Sequence, residues 1–243
     1  MRKIFPPVAL LVCALSLSSC LDSHEEVWLN PDASGAARIK LAIPAAAVAF
    51  YGGEEGVKKL VEEFTAATPA ITSHALETEI TDGRLHVDFA ATFANALDFL
   101  NAASATGGPE IPPVGKEMMG KTDINFSGLS LVFKRRIEMS KVIPGALFIP
   151  ASQLAGHSVT TIVHLPKAAS SHNADSTADG GRTLTWSTSL ATALKKPVDR
   201  NFTMPLPIPW TTISVIVILL LILLATLIYY FRSRKVRREA SRM

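Results

Sequence analysis

The sequence predicts an α+β fold: an antiparallel sheet of hairpins with about two packed helices, plus one C-terminal transmembrane helix. Three observations predict it. Between residues 21 and 209, short runs of alternating apolar and polar residues recur, separated by turn chemistry. Two stretches, 54–67 and 94–105, change to helical spacing. Then Trp210 to Phe231, WTTISVIVILLLILLATLIYYF, contains no charge, no Gly and no Pro in 22 residues. At about 1.5 Å per residue it reaches roughly 33 Å, against about 30 Å for a hydrocarbon core. The tail that follows carries Arg232, Arg234, Lys235, Arg237, Arg238 and Arg242 against Glu239. Basic tails stay on the cytoplasmic side, so 232–243 is expected inside and the bulk of the chain outside.

The front end reads as an export signal. Arg2 and Lys3 give a positive start, and Val8 to Leu17 gives an apolar run too short to span. Leu17-Ser18-Ser19-Cys20 then resembles a bacterial lipobox: an aliphatic residue, two small ones and a cysteine. The resemblance implies that 1–19 is removed and that the thiol of Cys20 carries the lipid, with acyl chains such as palmitate. Cys13 fits less well, because Val12 before it is too large. These are the two cysteines of the chain, so the part after Cys20 has no disulfide and no thiol for catalysis or metal binding.

Charge divides along the chain. The total is +3. Arg2 and Lys3 contribute +2 and the tail from Arg232 contributes +5, which leaves −4 for everything between. A mildly acidic outer domain is a poor match for nucleic acid, whose binding rests on phosphate neutralisation.

The outer domain, 20–209, is taken in order. Glu26 to Leu29 reads as a strand, Asn30 to Gly35 as a turn, and Ala37 to Ile43 as an alternating strand with Ile39, Leu41 and Ile43 on one face. Ala45 to Tyr51 forms a short helical turn after Pro44. Glu54 to Ala67 places Val57, Leu60, Val61 and Phe64 on one helical stripe. Leu76 to Ile80 and Leu85 to Phe93 flank Thr81-Asp82-Gly83, a strong hairpin signal. Leu85, Val87, Phe89 and Ala91 face inward and His86 and Asp88 outward. Ala94 to Ala105 is the second helix, and Thr106 to Lys121 a long Gly- and Pro-rich loop. From Asp123 strands return: Leu129, Leu131, Phe133, Ile137 and Met139 keep period two, with Arg135 as the exception. Val142 to Ala155 is apolar and broken by proline. Ser158 to Leu165, Arg182 to Ser187 and Val198 to Met204 complete the strands. Pro205, Pro207 and Pro209 lead stiffly into Trp210.

Several of these features together resemble the LppM-domain bacterial lipoproteins. They are the lipobox at Cys20, the strand and turn behind it, and Leu165-Pro166 followed by His172-Asn173-Ala174. After a polar gap come the strand ending in Trp186 and the C-terminal helix. Lys167 stands where the family usually has glycine. The resemblance implies an α+β extracytoplasmic domain, contact with envelope lipids or glycolipids, and no established enzymatic activity. It assigns no binding residue here.

Catalytic motifs are absent from the sequence: no HExxH, GxSxG, Walker loop or GxGxxG. His24, His74, His86, His157, His164 and His172 show no ligand-pair spacing, so no metal and no cofactor is expected. His74 and His86 flank the 82–83 turn, in poor register for pairing. Glu77, Glu79 and Asp88 lie near one another on strands. Paired carboxylates can do acid–base work, and a solvated face is the plainer explanation. Two readings follow. The first is a non-enzymatic binding or assembly protein at the cell (inner) membrane, lipid-anchored and single-pass. Its partners would be membrane lipids, an apolar or glycolipid ligand held between sheet and helices, or an envelope protein. The second is a hydrolase-like envelope enzyme with an unrecognised site.

Overall fold

The computed structural model describes residues 22–66, 68–99, 117, 119–142, 154–208 and 210–240. The chain divides into two compact units, one ending at Leu206 and one starting at Pro207. Cys20 and the export segment lie outside the described residues.

The first unit is built on two sheets. The larger contains β1 (Asp22–Leu29), β2 (Gly35–Pro44), β3 (Ile71–Thr81), β4 (Arg84–Phe93), β7 (Ser158–His164), β9 (Ser176–Ala178) and β10 (Thr183–Ser189). Its order is β3-β4-β2-β1-β7-β10-β9. The smaller contains β5 (Lys121–Ser127), β6 (Ser130–Ile137), β8 (Ser171–His172) and β11 (Val198–Pro205), in the order β5-β6-β11-β8.

Local hairpins account for most of this pairing. The turn between β3 and β4 places Asp82 at φ 54° and Gly83 at φ 71°, as a type I′ turn requires. That turn sets Glu79 opposite His86 and Glu77 opposite Asp88. The expectation of an antiparallel sheet needs correction: β1 pairs antiparallel with β2 but parallel with β7. A parallel neighbour is reached by a long crossover, and alternation within a strand carries no record of it.

The inner face of the larger sheet presents Val27, Leu29, Leu85, Val87, Val159, Val163, Leu184 and Trp186. Two apolar clusters join it to the smaller sheet. In one, Val159, Leu190, Ala193 and Leu194 meet Ile137 and Val198. In the other, Val163, Leu184 and Trp186 meet Phe202 and Met204, with Leu131 and Phe133 beside them. A third cluster packs Leu85 and Val87 against Val48, with Val57 and Leu76 at its edge. Leu85 and Leu184 are fully buried. Each stabilises the fold by about 1.5–3 kcal/mol through its removal from water.

Short helices close the ends. α1 (Ala45–Val48) and a 3₁₀ turn (Ala49–Tyr51) follow Pro44, and α2 (Gly53–Ala66) runs beside them. Glu54 at the start of α2 accepts from Thr78 Oγ1 at 2.5 Å and so ties the helix to β3. Of the second expected helix, residues 96–99 are helical and 100–105 lie outside the described residues. α3 (Met139–Val142) and α4 (Leu190–Ala193) are single turns; Ser189 caps α4, its hydroxyl accepting from the Thr192 N–H at 3.4 Å.

The second unit contains α5 (Trp210–Ala240). Its apolar run continues without a break into RSRKVRREA. The described side chains at 211 and 213–227 are exposed, Leu219 at 60%. Among the described residues no helix is long and apolar enough to cross a membrane. The expectation of a C-terminal transmembrane helix at 210–231 is corrected accordingly.

Candidate functional site

The outer face of the larger sheet carries polar side chains from five neighbouring strands. Register aligns them in rows. Glu77, Asp88, Lys40, His24 and Thr160 form one row across β3, β4, β2, β1 and β7. Glu79, His86, Ala42 and Asp22 form the next. Because a strand alternates sides, each of these positions must point away from the core if Leu85, Val87 and Leu41 point into it. Residues of the two rows line a trough of about 770 Å³.

Its walls are charged and partly committed. Arg38 donates to Asp88 twice, Nε to Oδ1 at 2.8 Å and Nη2 to Oδ2 at 2.6 Å. Lys40 Nζ stands 3.7 Å from Asp88 Oδ2. These hydrogen bonds from Arg38 hold the Asp88 carboxyl below the usual carboxylate range, so it stays ionised and serves as an acceptor. Asp22 is likewise engaged: its Oδ2 lies 2.8 Å from His157 Nδ1 and 3.4 Å from Arg84 Nη1, and its Oδ1 accepts from the Ser158 N–H at 3.2 Å. Glu77 and Glu79 differ. Both are exposed, and neither accepts a hydrogen bond from a described residue. The trough thus offers two uncommitted carboxylates beside two anchored ones.

At the far end of the same face, Trp28 stacks on His164, with ring centroids 5.3 Å apart and planes 5° from parallel. His164 Nε2 lies 2.8 Å from Glu26 Oε1, and its Nδ1 lies 3.1 Å from Thr183 Oγ1. Thr183 in turn donates to Asp179 Oδ2 at 2.5 Å. Both ring nitrogens are occupied. Among the described residues no group of three His, Cys, Asp or Glu side chains is placed to hold a metal.

The inner face holds a second charged feature. Glu25 projects between the sheets, where Arg135 Nη1 reaches both its oxygens at 2.7 Å and Thr161 Oγ1 donates at 3.0 Å. Arg135 Nε donates to the Met119 carbonyl at 2.7 Å. Arg200 Nη1 stands farther from Glu25 Oε2, at 3.5 Å. Burial alone would raise the Glu25 pKa; the nearby Arg135 and Arg200 charges and the Arg135 and Thr161 hydrogen bonds outweigh it and leave the carboxyl below its ordinary value. Burial pushes the Arg200 guanidinium down to about 10, against the opposing pull of Glu25. This polar layer separates the two apolar clusters that join the sheets.

The structure brings Glu77, Glu79 and Asp88 together, as their spacing suggests. It keeps His74 and His86 apart: His74 pairs with Ala91 and His86 with Glu79, on opposite faces of the hairpin. Arg135 breaks the inward alternation of β6 because it is itself inward and paired. Glu25 and Arg200 were not singled out from the sequence. Their signal was present, since each occupies an inward position next to apolar ones: Glu25 beside Val27 and Leu29, Arg200 between Val198 and Phe202.

No family model matches the chain. No curated protein matches it either. Its fold is similar to that of one solved protein domain. That domain is the folded part of LppM from Mycobacterium tuberculosis, determined by NMR. The TM-score is 0.49 at 13% sequence identity, over 79% of this chain and 94% of that one. The likeness concerns the fold; the lipobox and the C-terminal helix are not shown by it. A likeness of that size carries no weight for function, which rests on the geometry of the trough.

Proposed function

We propose that this chain is an envelope-associated, lipoprotein-type extracytoplasmic domain that acts by binding and not by catalysis, and that its outer sheet face takes a cationic segment of a partner protein. The lipobox pattern at Cys20 supports the envelope assignment. The observation that carries the binding assignment is the trough: Asp22, Glu77, Glu79 and Asp88 line it, and with Asp88 paired to Arg38 and Lys40 and Asp22 beside Arg84, the carboxylates of Glu77 and Glu79 are the ones without an ion-pair partner among the described residues. Such a surface repels lipid phosphate and attracts Lys and Arg side chains. Glu77 and Glu79 are free to pair with them, while Asp22 and Asp88 are held in place by their own partners. The polar lining also favours a protein segment over an apolar ligand, and the trough lies on the opposite side of the sheet from the packed clusters.

The test is fluorescence anisotropy of the full chain with a labelled peptide of alternating Lys and Gly. Binding should weaken steadily with added salt. It should fall about fivefold in the Glu77→Gln/Glu79→Gln variant, since each exposed pair is worth about 0.5 kcal/mol. Equal affinity in that variant, or a preference for phosphatidylglycerol vesicles over the peptide, overturns the proposal.

A further inference from the structure

Among the described residues β3 is an end strand of the larger sheet, paired with β4 alone. At 11 residues it is the longest of the four end strands; β5 has 7, β9 has 3 and β8 has 2. Native proteins blunt such edges with Lys, Pro, a bulge or a covering element. β3 contains no Lys, Arg or Pro, and its register shift is confined to Ile71–Ser73, so the pairing from His74 to Thr81 is regular. α2 meets β3 on the inner face, where Glu54 holds Thr78.

The β3–β4 turn decides which backbone groups the edge offers. A two-residue turn makes Thr81 and Arg84 a hydrogen-bonded pair, and bonded pairs then recur at Glu79–His86 and Glu77–Asp88. Leu76, Thr78 and Ile80 therefore turn their N–H and C=O groups away from β4, to the open side. Side chains alternate in the same rhythm. Glu77 and Glu79 stand on the outer face, in the trough, without an ion-pair partner among the described residues. Ile80 stands on the inner face and is 54% exposed. A second copy of β3 suits this edge poorly, because antiparallel self-pairing about Thr78 sets Glu77 against Glu79.

We propose that the partner's cationic segment is bound as an extra antiparallel strand on β3, with Lys or Arg facing Glu77 and Glu79 and apolar residues between them, one of these covering Ile80. In that arrangement 77 and 79 occupy the non-bonded positions of the new pair, where facing side chains approach most closely. Main-chain hydrogen bonds at 76, 78 and 80 hold the segment, and its alternate side chains give the selectivity. The inference rests on the binding function proposed above and adds the conformation in which the segment is held.

The probe is the peptide KVKVKVK, capped at both ends, compared by fluorescence anisotropy on the full unmodified chain with two N-methylated forms. In the added strand the valine N–H groups bond to β3 and the lysine N–H groups point away. Methylation at the valines should weaken binding about tenfold or more, and methylation at the lysines by less than about twofold. Amide exchange followed by NMR gives the second readout. The N–H groups of Leu76, Thr78 and Ile80 should slow when peptide is bound, while those of Glu77 and Glu79, already bonded to β4, change little. Equal binding by the two methylated forms, or unchanged exchange at Leu76, Thr78 and Ile80 with peptide bound, overturns the inference and leaves the cationic partner standing. No binding of any of the three peptides overturns both. Protection of the same amides by self-association without peptide assigns the edge to a second copy and overturns the inference as well.

Discussion

Replacing Glu25 by Gln removes the anion that the two sheets share. The side chain keeps its size and one acceptor oxygen, so the change isolates charge. Two 2.7 Å bonds from Arg135 are lost as charged pairs, along with the anchor for Arg200. Bonds to a charged group are worth about 1.5–3 kcal/mol each, and part of this is offset because Gln is easier to desolvate. What remains is two facing guanidinium groups that have lost the carboxylate between them, and breaking one partner out of a buried pair costs roughly 3–5 kcal/mol. We expect about 3 kcal/mol for Glu25→Gln, read as a lower urea midpoint with an unchanged slope. The pH dependence has a definite sign. The folded pKa of Glu25 lies below its ordinary value of 4.5, so its contribution is complete above that pH and declines as pH falls through the folded value. Glu25→Gln should lack this component of acid destabilisation. A loss under about 1 kcal/mol, or the same acid profile as the unmodified chain, refutes the reasoning.

Three further outcomes are expected. Gly120→Ala should destabilise by about 2 kcal/mol or more in urea titration: Gly120 has φ 68°, and a Cβ there would lie 2.4 Å from the Arg136 carbonyl oxygen. It also turns the chain so that the neighbouring Met119 carbonyl meets Arg135, and an unchanged midpoint would contradict that role. Leu184→Ala, at a side chain with 0% exposure, should cost roughly 2–5 kcal/mol, and a cost below 1 kcal/mol would mean that the sheets do not meet there. Arg38→Ala should cost less than about 1 kcal/mol, because Arg38 is 48% exposed, and the effect should fade in high salt. A larger, salt-independent loss would show that the Arg38–Asp88 pair is structural.

Much of the larger sheet was legible because its information is local. Thr81-Asp82-Gly83 sets the β3–β4 register, and with it the meeting of Glu77 and Asp88. The alternation from Leu85 to Ala91 places His86 and Asp88 on the outer face before any partner strand is known. The parallel pairing of β1 with β7 was not legible, since it joins segments more than a hundred residues apart by a crossover that leaves no pattern in either strand. Period two over 129–139 matches β6 but does not place the β5–β6 turn, which falls at Gly128 with φ 58°. The buried charged layer escaped for a different reason. A strand beginning at Glu26 leaves Glu25 outside it, whereas β1 spans Asp22–Leu29, and Arg135 in an otherwise apolar register is the clue to a buried partner. A charged residue in an inward register requires an opposite charge from another strand, and Arg200 and Arg135 both find it in Glu25.

Backbone amide chemical shifts of the full chain, followed as the Lys-Gly peptide is added, test the proposed binding face most directly. The account predicts that the shifts concentrate at Glu77, Glu79, His86, Asp88, Lys40 and His24, and that Glu77→Gln/Glu79→Gln needs about fivefold more peptide to reach them. Shifts confined to the smaller sheet, or none at millimolar peptide, would contradict it.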